Sequence, residues 1–205
     1  MTRSADAPDT PGAPDTLGGT AASDAKGPVI AVVGPSGVGK DSLMSGLAVA
    51  DPRLRSMRRV ITRAPDAGGE DYQPVSEAEF EALVAADVFA LHWRAHGLRY
   101  GISRDIEALR LGASGVLVNL SRAVLLQAQE VFDDFRVISV TADPKVLAAR
   151  LATRGREDPE EVQRRLSRAG LALPEGLQQV YKVDNSGALS AAIVAAQAII
   201  QAERA

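Results

Sequence analysis

Two hydrophobic rhythms run through the chain. Residues 28–33, 115–119 and 136–141 form short, nearly unbroken apolar runs, as expected of parallel strands buried on both faces. Residues 180–183 read as a last strand. Residues 40–50, 122–131 and 189–202 read as helices, and Asp143-Pro144 supplies the cap and first-turn proline of another. Asp51-Pro52 stops the first helix, because proline forces its predecessor out of the α region. Strands alternating with helices predict an α/β fold, a mostly parallel sheet with helices on both faces.

The stretch 57–101 interrupts that alternation. Residues 58–63 read as a short strand with charge at both ends, and 64–73, with Pro65, Gly68 and Gly69, as a loop. Ser76 and Glu79 have capping-box spacing for a helix reaching about residue 86. Residues 88–94 and 98–102 flank Ala95-His96-Gly97 as a hairpin, and Ser103 is expected to cap a helix to about residue 111. The segment is therefore expected to be a small inserted acceptor lobe. Residues 1–26 lack the large apolar side chains needed to offset their ordering entropy, which predicts a disordered tail. Residues 27–205 then make one domain.

The first strand runs straight into Gly34-Pro35-Ser36-Gly37-Val38-Gly39-Lys40, which matches G-x-x-x-x-G-K. Strand, glycine-rich turn and helix in that order form a phosphate-binding loop. Its N–H groups converge at a helix N-terminus, where partial positive charge favours a polyphosphate. The lysine supplies a mobile cation for the transferring group, so ATP is the expected ligand. Asp41 stands where Ser or Thr usually helps to hold magnesium, with Ser42 following. Asp41 either caps the helix start or, with Ser42, organises Mg2+.

Composition narrows the rest. The 205 residues carry a net charge of −3, which offers no global basic field for nucleic acid or an acidic membrane surface. No apolar run approaches the ~20 residues of a membrane span. There are no cysteines, hence no disulfide frame, zinc knuckle or thiol nucleophile, which suits the cytoplasm. Oligomeric state stays open between monomer and homodimer.

Three further groups could carry chemistry. Arg59 and Arg63 sit at opposite ends of the 58–63 strand, on one face at period two, and arginine suits bidentate phosphate recognition. They make either a phosphate site or a solvated edge. His92, Trp93 and His96 bring both histidines and the only tryptophan within five residues, followed by Arg99 and Tyr100. That density suits a sugar-phosphate pocket, although Trp93 reads first as core packing. Arg150, Arg154, Arg156, Arg164, Arg165 and Arg168 form the third group. They read as a lid over residues 150–168 that neutralises charge during transfer, or as ordinary surface ion pairs.

Taken together, residues 28–185 resemble the guanylate-kinase-like branch of the P-loop kinases. The shared marks are Gly34 to Lys40, Thr62-Arg63, Asp71-Tyr72, Val75-Ser76-Glu77, Tyr100-Gly101, Arg150, Arg154-Gly155 and Arg165. Departures from the guanylate pattern fall where the base would be read. Asp66 replaces a second arginine, Arg59 a serine, His92 a glutamate, and Val118-Asn119-Leu120 an acidic strand end. With Asp41 and residues 92–101, these variants are similar to those of the ribose 1,5-bisphosphate phosphokinases. That resemblance implies ATP-dependent phosphoryl transfer to the 1-phosphate of ribose 1,5-bisphosphate, with a nucleoside monophosphate kinase or a non-catalytic binding module as rivals. It implies catalytic roles for Lys40, Arg150, Arg154 and Arg165. It also implies acceptor binding by Arg59, Arg63, Tyr72, His92, His96, Arg99, Tyr100, Asn119, Ser121 and Arg122.

Overall fold

The computed structural model describes residues 25–64, 71–153 and 172–202. Five parallel strands form the core sheet in the order β2-β7-β1-β8-β9. They are β1 (Val29–Val33), β2 (Leu54–Met57), β7 (Gly115–Asn119), β8 (Phe135–Thr141) and β9 (Val180–Asp184). Every residue of β1 is buried, which explains its unbroken apolar run. Alternate β1 side chains divide between two cores. Val29, Ala31 and Val33 pack on one face, Ile30 and Val32 on the other with helix α1 (Lys40–Ala50) and helix α6 (Leu189–Ala202). The expectation of a mostly parallel sheet in an α/β fold is met.

A second sheet, ordered β4-β3-β6-β5, forms the acceptor-lobe segment. Its strands are β3 (Arg59–Ile61), β4 (Tyr72–Pro74), β5 (Phe89–Ala95) and β6 (Leu98–Ser103). The β5–β6 hairpin turns through His96 (φ 52°) and Gly97 (φ 74°), both left-handed as a two-residue primed turn requires. Helix α2 (Glu77–Ala85) begins with the expected capping box: Ser76 Oγ accepts from Glu79 N, and Ser76 N donates to Glu79 Oε2 (2.7 Å). Helix α2 closes a small core of Val60, Phe80 and Phe89.

Several boundaries differ from expectation. β2 falls in a stretch given no element from sequence, and β4 overlaps the expected 64–73 loop; both are short edge strands with single buried residues, Leu54 and Tyr72. β3 ends at Ile61, so Arg63 lies beyond the strand rather than at its end. Helix α3 (Ile106–Arg110) starts later than expected, with Asp105 at its N-cap; Ser103, buried at the end of β6, accepts from Asp105 N (3.2 Å) and donates to Asp105 Oδ2 (2.8 Å) in the turn before it. The tail shortens as well. Lys26 bridges Leu111 and ion-pairs with Glu107 at 2.7 Å. Residues 1–24 lie outside the described residues.

Arg110 ties these parts together from a side chain only 2% exposed. Its Nε donates to Gly27 O (2.8 Å), just before β1, while Nη1 reaches Glu107 and Nη2 reaches Asp133 at the turn into β8. Burial opposes the Arg110 charge, but its hydrogen bonds to Asp133 and Glu107 outweigh that and raise its pKa.

Candidate active site

In a parallel sheet the strands deliver their following loops to one edge, and a crevice opens where connections diverge. Here β1 lies between β7 and β8. The loop after β1 (Gly34 to Lys40), Asn119 at the end of β7, and Asn185 just after β9 therefore gather at one edge. Helix α5 (Pro144–Thr153), which follows β8, brings Arg150 to the same place.

The glycine loop has the shape expected of an anion cradle. Gly39 is the N-cap of α1 with φ 93°, a left-handed conformation that L side chains resist. A Cβ at Gly34 would stand 2.5 Å from Val140 O, so the loop can leave β1 beside β8 only without a side chain there. Lys40 Nζ donates to the loop's own carbonyls, Gly34 O (3.1 Å) and Pro35 O (3.2 Å), holding the ammonium over the turn. Asp41 makes no cap: the N-cap is Gly39, without a side-chain cap bond. The Asp41 carboxylate is exposed in the first turn and accepts from Asn119 Nδ2 at 3.4 Å. Of the two roles left open for Asp41, capping is the one the geometry removes.

A residue absent from the sequence-based expectations anchors this loop. Asn185 is 3% exposed and donates from Nδ2 to Val38 O at 2.8 Å. Its backbone N–H is held by Thr141 O (2.8 Å), which fixes the side chain under the cradle. A Cβ at Gly39 would come within 2.6 Å of that amide nitrogen. Arg150 Nη1 also points at Val38 O, at 3.4 Å. Asn185, Arg150, Gly37, Gly39, Ser42 and Leu189 help to line a cleft of about 580 Å³ beside the loop. Asn185 Oδ1 is buried with no hydrogen-bond partner among the described residues, which leaves an acceptor at the cleft wall. The sequence offered one faint signal, a polar residue ending an apolar strand. Arg154 and Arg165, and with them the lid beyond residue 153, lie outside the described residues.

The residues expected at the acceptor divide between the two faces of the second sheet. On the face toward the core sheet, Trp93 stacks on Tyr100 (centroids 5.2 Å apart, planes at 10°), and the Arg59 guanidinium lies over the Tyr100 ring at 5.1 Å. On the face toward α2, His92 meets Phe80 and Phe89 edge-on or tilted. Arg99, only 6% exposed, lies over Phe80 and pairs with Glu81 and Glu77. Arg99, expected at an acceptor phosphate, thus lies on the α2 face, away from Tyr100 and Arg59. Strand alternation puts it opposite Tyr100, and its charge is taken up by two carboxylates. His96 sits exposed at the hairpin turn.

Arg63 lies over the Tyr72 ring at 5.8 Å, and the Tyr72 hydroxyl donates to Ala64 O (2.5 Å). Arg63 also lines a shallower cleft of about 430 Å³ with Thr62, Ser76, Glu77 and Glu79. At the end of β7, Asn119 is followed by Ser121, which precedes a 3-10 turn (Arg122–Val124). Burial draws the Arg122 guanidinium below its ordinary pKa.

No protein-family model matches the chain. Individual proteins do. It is 88% identical over 183 residues to ribose 1,5-bisphosphate phosphokinase PhnN of Ruegeria sp., covering 89% of this chain and 96% of that protein. Against the ribose 1,5-bisphosphate phosphokinase PhnN of Pantoea vagans it is 43% identical over 175 residues, covering 84% and 97%. Among solved structures, guanylate kinase from Anaplasma phagocytophilum superposes with a TM-score of 0.63 at 17% identity, over 87% of this chain and 86% of that one. A gluconokinase from Sinorhizobium meliloti gives a TM-score of 0.52 at 20% identity, over 86% and 93%. These two share the fold. At 88% identity across almost the whole of a curated relative, the chain belongs to the ribose 1,5-bisphosphate phosphokinase family.

Proposed function

We propose that this chain transfers the γ-phosphoryl group of ATP to the 1-phosphate of ribose 1,5-bisphosphate, giving 5-phosphoribosyl 1-diphosphate and ADP. The observation that carries the reading is the 88% identity to a phosphokinase of that name, joined to an intact glycine loop and Lys40. An oxygen of the acceptor's 1-phosphate attacks the γ-phosphorus, and the bond to the leaving β-phosphate oxygen breaks. The nucleophile is already anionic, so no general base is needed, and catalysis consists of positioning and charge neutralisation.

In this reading the N–H groups of Gly34 to Lys40 hold the donor phosphates, and Lys40 follows the transferring group. Arg150 stands at the cleft mouth, with Arg154 and Arg165 as its expected companions. Arg59, Tyr100, Asn119, Ser121 and Arg122 form the acceptor side, between the inner face of the lobe and the end of β7. Arg63, Tyr72, His92 and His96 are assigned to the acceptor more peripherally.

The residues present fit magnesium. Among the described residues no cluster of three or more His, Cys, Asp or Glu could cage an ion. Magnesium usually takes one or two protein oxygens besides phosphates and water. Asp41 and Ser42 would hold it, and when bound it would offset phosphate charge. Among the described residues no helix is long and apolar enough to cross a membrane. We place the enzyme in the cytoplasm, where its sugar phosphate and ATP would be found.

A coupled ADP-release assay with ribose 1,5-bisphosphate and with GMP tests the reading. Faster turnover of GMP would replace it with the nucleoside monophosphate kinase. Undetectable ATP binding by titration would favour the binding module.

A further inference from the structure

The inner face of the lobe holds a buried polar group that none of the described residues satisfies. Trp93 is 8% exposed, and its indole Nε1 is buried with no hydrogen-bond acceptor among the described residues. Buried donors are almost always paired, so an orphan calls for a cause. Simple packing does not supply one, since phenylalanine would fill much of the same space without an N–H to desolvate.

Its surroundings point to a ligand. Trp93 stands opposite Tyr100 in the β5–β6 register and stacks on it, and Arg59 lies over that same Tyr100 ring. Trp93 also shares its apolar cluster with Leu120 and Val124, which alternate with Asn119, Ser121 and Arg122 along the segment leaving β7. The indole therefore lies beside Tyr100 and Arg59, two residues assigned to the acceptor, at the seam between lobe and core sheet. A buried neutral N–H calls for an acceptor, and a phosphorylated sugar carries many oxygens.

We propose that Trp93 is a substrate-binding residue whose indole N–H donates to an oxygen of the bound sugar bisphosphate. This rests on placing the acceptor between Arg59, Tyr100 and Arg122. The stack on Tyr100 holds the ring at a fixed angle, so the donor is preorganised and its direction contributes to substrate choice. Its hydrogen-bond requirement is then met only in the complex, where a ligand lacking the matching oxygen leaves it unpaired.

The single tryptophan makes the test direct. Titrating the wild-type protein with ribose 1,5-bisphosphate, without ATP, should give a saturable change in tryptophan emission. An unchanged spectrum at concentrations that saturate turnover overturns the proposal, with no variant required. In steady-state assays Trp93→Phe should raise KM for ribose 1,5-bisphosphate by about tenfold or more, while KM for ATP stays within about threefold. Arg122→Ala is measured in parallel. If Arg122→Ala raises the acceptor KM and Trp93→Phe does not, the pocket stands and the role of Trp93 is refuted. If neither changes it, the pocket placement itself fails, and Trp93 with it.

Discussion

The amide of Asn185 is the sharpest place to perturb the donor side. Asn185→Ala removes the 2.8 Å bond to Val38 O and leaves a buried carbonyl with only the 3.4 Å contact from Arg150. Stranding a buried acceptor costs about 1–3 kcal/mol. For a domain of this size each kcal/mol lowers Tm by roughly 2–4 °C, so the expected fall is about 2–12 °C. The Val38–Gly39 peptide then loses its support, and a displacement on the order of 1 Å can reduce kcat/KM about a hundredfold. Gly39→Ala should act through the same contact. Its Cβ would lie 2.6 Å from Asn185 Nδ2, in a backbone at φ 93°. A left-handed alanine costs about 1–2 kcal/mol by itself, and the clash adds to that only while Asn185 is present. Calorimetric unfolding of the wild type, both single variants and the double variant closes a cycle. Gly39→Ala should destabilise the Asn185→Ala background less than the wild type, by on the order of 1 kcal/mol. Strict additivity, or an Asn185→Ala protein with wild-type Tm and wild-type kcat/KM for ATP, would refute the clamp.

Other expectations follow from the same geometry. Lys40→Ala should lower kcat by about 10²–10³-fold while changing Tm little, since its hydrogen bonds to the loop carbonyls Gly34 O and Pro35 O are long, at 3.1 and 3.2 Å; turnover within a few-fold of wild type would exclude its assigned role. Arg99→Ala should destabilise through lost contact with Phe80, Glu77 and Glu81, visible as a lower Tm, while KM for the acceptor stays within about threefold. A large KM increase without destabilisation would restore Arg99 to the acceptor site. Arg110→Ala should cost about 2–3 kcal/mol in urea unfolding, less than a fully buried pair because Glu107 and Asp133 are 41% and 74% exposed. The same ion pairs set an acid limb. The hydrogen bond from Arg110 holds the Asp133 carboxyl below its usual range. Burial pushes Glu107 up, but hydrogen bonds from Lys26 and Arg110 outweigh it and leave Glu107 low as well. Depressed carboxyls contribute stability fully above their unfolded pKa of about 4 and lose it as pH falls through their folded values. A Tm profile from about pH 6 to pH 2 should therefore fall less steeply in Arg110→Ala than in the wild type; parallel profiles would show that these pairs are not its source.

Features carried by neighbouring residues were legible without any coordinates. The buried run of β1, the glycine turn and Lys40 are consecutive, and each constrains the backbone through φ, N–H direction or apolar burial alone. The capping box of α2 and the two-residue hairpin turn are local in the same sense, so pattern and geometry coincide. The alternation of strands and helices was enough to predict the parallel sheet. β2 and β4 escaped notice because edge strands bury only one side chain apiece and carry polar residues elsewhere, which leaves no hydrophobic period to detect.

What the chain could not disclose in one dimension was which groups face each other. Arg99 and Tyr100 are adjacent in sequence, yet strand pleating sends one to α2 and the other to Arg59, and only the packed sheet says which face meets the core. Asn185 and Val38 are far apart along the chain. Their hydrogen bond exists because β9 joins the sheet beside β8, delivering Asn185 beneath the loop that follows β1. The unsatisfied N–H of Trp93 is likewise a property of everything packed around it. Local sequence determined the phosphate loop and the elements, because their causes lie within a few residues. Tertiary structure decided the loop's support and the acceptor face, because burial and pairing depend on which distant strands become neighbours.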